Sequence, residues 1–151
     1  MRKRQPRNIA GGAGAGSVYV DTSAWIAFFS ARDQNHAEAT LLFREAVERD
    51  VRLITTNLVL AEIHRLILHR VGTAAALQVL TRIESNPRVS VVFAGGAHHA
   101  DGKAWLVRLP GSRLTYTDAV SFAVMADLRC EDFLSFDADF VAAGFRPWPP
   151  A

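Results

Sequence analysis

From Val18 onward, short apolar runs alternate with longer stretches of helical periodicity. Val18-Tyr19-Val20 is a compact apolar run that closes on Asp21, which predicts a buried strand. Ala24 to Phe29 predicts a short helix. From His36 to Arg49, Ala39, Leu42, Phe43, Ala46 and Val47 recur at helical spacing. Arg52 to Thr55 predicts a second strand, and Leu58 to Arg70 a helix that stops before Gly72. Thr73 to Glu84 predicts another helix with Thr73 as its N-cap, broken by Asn86-Pro87. Val89 to Phe93 is a valine-rich strand, and Ala97 to Leu109 a helix ended by Pro110-Gly111. Thr117 to Arg129 is almost wholly apolar, so that helix must be buried on most sides. Asp132 to Ser135 predicts a fourth strand. Phe145 and Arg146 predict a short fifth one, which the following prolines stop.

This alternation of apolar strands with helices predicts an α/β fold: a three-layer α/β/α sandwich around a central, mainly parallel sheet. In such sheets the working site lies outside the carboxyl ends of the strands. At 151 residues the chain fits a single domain, residues 18–151. Residues 1–17 are unlike the rest, basic at first and then glycine/alanine-rich, and read as a flexible tail or linker. An arm making unspecific phosphate contacts is the functional alternative for that stretch.

Charge changes the picture only when it is divided along the chain. The formal net charge is +2, yet residues 1–17 hold four basic residues and no acid. The remainder carries 13 basic against 15 acidic residues, so the folded part is slightly acidic. Basic charge is therefore no argument for nucleic-acid binding here. No apolar run approaches the roughly 18 residues of a membrane span. Cys130 is the single cysteine, which excludes an internal disulfide or a cysteine zinc cluster and fits a reducing cytoplasm.

Four carboxylates stand at places where a site is expected. Asp21 follows the first strand and Asp137 the fourth. Glu62 has Leu58, Val59, Ile63 and Leu66 as helical neighbours and so lies in an apolar stripe. Asp118 opens the most apolar helix. Buried carboxylates are costly unless paired or bound to a cation, and converging ones raise each other's pKa. A divalent ion at the point of convergence removes both penalties. All-oxygen ligands without cysteine favour Mg2+ or Mn2+ over Zn2+, and phosphodiester cleavage is one use of such a centre. Each acid also has a plain structural reading. Asp21 can cap the next helix, and Thr115 and Asp118 fit a capping box. Glu62 can pair with an arginine, and Asp137 and Asp139 can form a turn before a short helix.

The segments VDTSAW with Asp21, LAEIHRL with Glu62, TYTDAVSFAVM with Asp118 and LSFDADFVAAGF with Asp137 together resemble PIN domains, especially the VapC toxins. Their order and spacing agree over residues 18–148. The resemblance implies a Mg2+- or Mn2+-dependent endoribonuclease, the toxin of a VapBC-type pair that cleaves structured RNA, either tRNA or a ribosomal RNA loop. It implies a VapB-like antitoxin as partner and a homodimer. It makes Asp21, Glu62, Asp118 and Asp137 the catalytic and metal-site acids, with Asp139 competing for the fourth place and Thr22, Ser23 and Thr115 in support. Arg32, Arg65 and Arg113 are the foremost basic candidates for RNA contact, beside Lys103 and Arg108. Trp25 and Trp105 are candidates for base stacking, though core packing is the plainer role for both.

A catalytically inactive PIN-like module for RNA binding or assembly is the alternative function. A phosphatase or receiver domain is disfavoured, because DTSAW offers one aspartate where those domains need a second acid nearby. The histidines of EIHRLILH are five apart and share no helix face, which argues against a zinc-protease site. GGAGAG precedes the first strand, so it is no dinucleotide-binding turn.

Overall fold

The computed structural model describes residues 16–151 apart from 110 and 112. The expected tail at residues 1–17 lies, up to residue 15, outside the described residues, as does Pro110. Twelve elements follow in the expected order among the described residues: β1 (Ser17–Val20), α1 (Thr22–Phe29), α2 (His36–Glu48), β2 (Arg52–Thr56), α3 (Asn57–Arg70), α4 (Thr73–Ser85), β3 (Val89–Val92), α5 (Gly96–Arg108), α6 (Tyr116–Asp127), β4 (Asp132–Leu134), α7 (Asp139–Ala142) and β5 (Arg146–Pro147).

Every pairing in the sheet is parallel, with strand order β3-β2-β1-β4-β5. The chain moves from β1 outward to β3, then crosses back beyond β1 to β4 and β5. The order therefore reverses beside β1, and the exits of β1 and β4 form the crevice where such sheets place their chemistry. Right-handed crossovers put α1 to α4 on one face of the sheet and α5 to α7 on the other. The packing agrees: α1, α2, α3 and α4 contact one another, and α5 lies along α6.

Both faces are apolar because both are covered. Tyr19 and Phe133 meet Phe122 and Phe140 beneath α6 and α7, and Trp25, Phe43 and Ile83 are buried beneath the opposite layer. From Ala119 to Met125, α6 is buried without interruption. No described helix is long and apolar enough to cross a membrane.

Two boundaries differ from expectation in an instructive way. Gly72, not Thr73, is the N-cap of α4: its carbonyl accepts from Ala76 N–H at 3.1 Å, and its φ of 139° suits only glycine. The fifth strand is Arg146–Pro147 and not Phe145–Arg146, because Arg146 N–H bonds Glu131 O and Trp148 N–H bonds Phe133 O across an edge that tolerates proline between them.

Candidate active site

Asp21 is positioned by the sheet itself. Its backbone N–H donates to Leu134 O at 3.0 Å, which extends the β1–β4 ladder by one residue past the strand. Asp21 occupies the N-cap position of α1, yet its carboxylate caps nothing. Oδ2 instead accepts from Ser135 Oγ at 3.1 Å and from Ser23 Oγ at 3.4 Å. The two serines lie 3.1 Å apart and take backbone N–H groups of Phe136 and Asp137 in turn. One polar network thus joins the exits of β1 and β4 and holds Oδ2 of Asp21, while the Thr22 backbone N–H also acts on the carboxylate.

Asp118 is held in a similar way from the other side. Thr115 caps α6 by accepting from Asp118 N–H at 3.2 Å. Thr115 hydroxyl and N–H donate back to Asp118 Oδ2 at 2.9 and 3.3 Å. The capping box therefore exists and also orients the acid. Glu62 stands half-buried on α3, and Asp137 follows β4 with its Oδ1 accepting from Asp139 N–H at 3.0 Å.

Asp21, Glu62, Asp118 and Asp137 all line one cavity of about 340 Å3 at the strand exits, together with Thr22, Ser23 and Thr115. Carboxylate oxygens of Asp118, Asp137 and Asp139 also lie within 4.8 Å of one another. Asp118 belongs to both groupings, so the acids form one continuous negative site in which Asp137 lines the cavity and Asp139 stands beside it.

The electrostatics are those of crowded acids that form no ion pair among the described residues. Burial first, and then the Asp118 charge, push the Asp21 carboxyl up to about 7. Burial also raises Glu62, with Asp118 adding to the effect while Thr117 and Arg65 oppose it. Burial raises Asp118, reinforced by Asp137 and Asp139, against the Thr115 bonds that lower it. No ion pair involves any of these acids among the described residues.

A cation fits this arrangement. The Thr22 hydroxyl is buried against the cavity. It lies close enough to Glu62 to lower that carboxyl slightly, yet makes no hydrogen bond of proper geometry. A buried hydroxyl without a hydrogen-bond partner next to three carboxyls pushed toward their protonated forms matches the all-oxygen donor set of a hard cation. Those acids would hold the ion, with Thr22 nearby.

Sequence reasoning missed several residues of the site. Ser135, which bonds Asp21, carried a usable signal in its position two residues before Asp137. Asp33 and Asn35, from the loop between α1 and α2, also line the cavity, as does Arg70. Arg70 follows Glu62 and Leu66 in steps of four along α3, a spacing legible in hindsight. Arg32, Arg65 and Arg113 are exposed and stand outside the cavity wall. Trp25 is 3% exposed and packs on Phe43, while Trp105 is half-buried against Phe122 and Phe145. Both tryptophans therefore have packing roles. Arg108 lies over the Trp105 ring at 4.2 Å.

An all-parallel five-stranded sheet with acids gathered at the β1 and β4 exits defines a class that the family comparison identifies: residues 18–146 match the PIN domain model, and the chain belongs to the PIN-domain family. Within it, the chain is 36% identical over 129 residues to the 23S rRNA-specific endonuclease VapC20 of Mycobacterium tuberculosis, covering 85% of this chain and 95% of that protein. The crystal structure of Mycobacterium tuberculosis VapC20, described as a Sarcin-Ricin loop cleaving toxin, superposes with a TM-score of 0.78 at 32% identity, over 85% of this chain and 96% of that one. VapBC2 from Rickettsia felis, bound to a promoter DNA fragment, shares the fold with a TM-score of 0.64 at 10% identity, over 87% and 98% of the two chains.

Proposed function

We propose that this protein is a divalent-metal-dependent endoribonuclease, the toxin of a VapBC-type pair, and that its substrate is a structured RNA loop of the ribosome. The observation that carries the reading is the convergence of Asp21, Glu62, Asp118 and Asp137 from four separate segments onto one cavity, beside an unsatisfied Thr22 hydroxyl. The substrate follows from the similarity to VapC20, named for 23S rRNA, over nearly the full length of both chains. The shared fold with VapBC2 from Rickettsia felis supports a VapB-like antitoxin as partner, and the same reading includes a homodimer and a cytoplasmic setting.

Bound at this site, Mg2+ or Mn2+ would supply a Lewis acid for the phosphate oxygens and lower the pKa of water. The protein's own contribution is placement. Ser135 and Ser23 fix Asp21, and Thr115 fixes Asp118, each through its Oδ2, so both carboxylates are oriented toward the site by the chain itself. Fixing these groups before substrate arrives removes the reorganisation that flexible acids would need during the reaction. Arg70 on the wall offers a cation to a neighbouring RNA phosphate, which the acids alone would repel.

The test is cleavage of a ribosomal RNA loop with Mg2+ and with Mn2+, comparing the wild type with Asp21→Asn. Water-driven attack leaves 5′-phosphate ends, which end-sequencing reads. Retained cleavage in Asp21→Asn, or ends formed by a 2′-hydroxyl attack, would overturn the reading.

A further inference from the structure

RNA that enters an acidic cavity must be held by something at its rim. Among the exposed aromatic side chains, Tyr116 stands out because its chain neighbours belong to the site. It is the first residue of α6, between Thr115, which lines the cavity, and Thr117, which acts on Glu62. Its side chain is 43% exposed, unlike Trp25 and Trp105, which are taken up in packing. The ring is not loose. Its hydroxyl meets His99 Nδ1 at 2.8 Å, and the two rings stand edge to face with centroids 5.7 Å apart.

The frame around this pair is rigid. His98, the next residue on α5, accepts from Gly95 N–H at 3.3 Å and bonds Asp127 at 2.9 Å through Nε2. Farther along, α5 presses on α6 so closely that a Cβ at Gly102 would come within 3.1 Å of Val120 Cγ2. Two consecutive histidines thus lock the start of α5 to α6, and one of them pins an exposed ring on the first residue of the helix that carries Asp118. The Nε2 of His99 has no protein partner among the described residues.

We propose that Tyr116, tethered by His99, is the platform on which an unpaired RNA base stacks next to the scissile phosphate, a substrate-positioning role that rests on the ribonuclease reading. Single-stranded RNA is recognised by stacking splayed bases on aromatic faces, and every base has a face to offer. A ring already held by a hydrogen bond loses little freedom when a base settles on it. A nearby acidic wall makes such an uncharged contact valuable, because it adds affinity without competing for the cation.

The experiment uses an RNA hairpin with 2-aminopurine placed in its loop. It reads steady-state cleavage and, separately, the fluorescence quench on binding, which requires stacking but no chemistry. Tyr116→Leu is expected to raise KM roughly tenfold, to change kcat far less and to abolish the quench. Tyr116→Trp restores both, and His99→Ala, which removes only the tether, raises KM by about threefold. Phe93→Ala, an exposed aromatic beyond the outer strand β3, changes neither. Should Tyr116→Leu melt early, the His99→Ala and Tyr116→Trp arms decide. Wild-type KM and quench in Tyr116→Leu, or no quench by the wild type, overturn the platform. A wild type that binds with a Tyr116-dependent quench but cleaves nothing upholds the platform and sinks the nuclease reading instead.

Discussion

Two cavities among the described residues, about 340 Å3 each, are opposite in character. One lies at the strand exits and is walled by Asp21, Glu62, Asp118 and Asp137. The other lies among α1, α2 and α4 and is walled by Trp25, Phe28, Phe29 and Phe43, with Arg44, Arg82 and Arg88 around it. In the second, aromatic rings pack on one another: Phe28 and Trp25 lie on Phe43 with centroids 4.6 and 5.0 Å apart, and Arg82 lies over Phe29 at 5.1 Å, while the buried Trp25 Nε1 has no hydrogen-bond partner among the described residues. In the first, carboxylates are forced together and none forms an ion pair among the described residues, although Arg70 lines the wall. Volume and apolarity alone would not separate a packing gap from a reaction site. Unrelieved electrostatic cost does, because a fold retains it only where something outside the chain relieves it.

Substitutions at the two cavities should have opposite effects. The largest expected effect is on catalysis at the acidic cavity. Asp21→Asn should lower kcat on the order of a thousandfold, several kcal/mol of transition-state stabilisation, while the metal-free fold melts no earlier than wild type. An early melt would mean that Asp21 is structural. The aromatic cavity should show the reverse. Phe43→Ala should cost about 3–5 kcal/mol in denaturant unfolding and leave kcat per folded molecule unchanged.

A pH titration sharpens the contrast further. The unfolded chain releases the Asp21 proton near pH 4, whereas the folded protein holds it to about 7. The folded state binds more protons between those values, so the Asp21 contribution to metal-free stability should be fully present below about pH 4, fall as pH rises and be lost above about pH 7. Saturating Mn2+ should reverse the fall at neutral pH, and Asp21→Asn should flatten it. Melting curves across that range, with and without Mn2+, read both. The smallest effect belongs to Thr115→Ala, which removes a helix cap for about 1 kcal/mol and releases Asp118 Oδ2. A Mn2+ titration should show weaker binding in that variant, and unchanged affinity would limit Thr115 to capping.

Much of the fold was legible because burial writes itself into the residue pattern. Apolar runs such as Val18-Tyr19-Val20 have no reading except a strand covered on both faces. The uninterrupted apolar helix ending near Leu128 could only lie inside. The acids were legible for a related reason: Glu62 and Asp118 broke apolar stripes, and a break of that kind has an energetic cost. Gly72 as N-cap was hidden, since its role depends on a backbone angle and not on a side chain. Asp33 and Asn35 were hidden as well, because a polar residue in a loop looks the same whether it faces water or a neighbour.

By itself the sequence determined the order of strands and helices, the burial of both sheet faces and which carboxylates stood out of place. Each of those depends on the periodicity of a single segment. Only the tertiary structure decided that β1 and β4 lie side by side, so that Ser135 reaches Asp21 across 114 positions and Tyr116 meets His99 between two helices. Pairing distant segments depends on the packing of the whole sheet, and no local pattern of residues records which neighbour a strand will find.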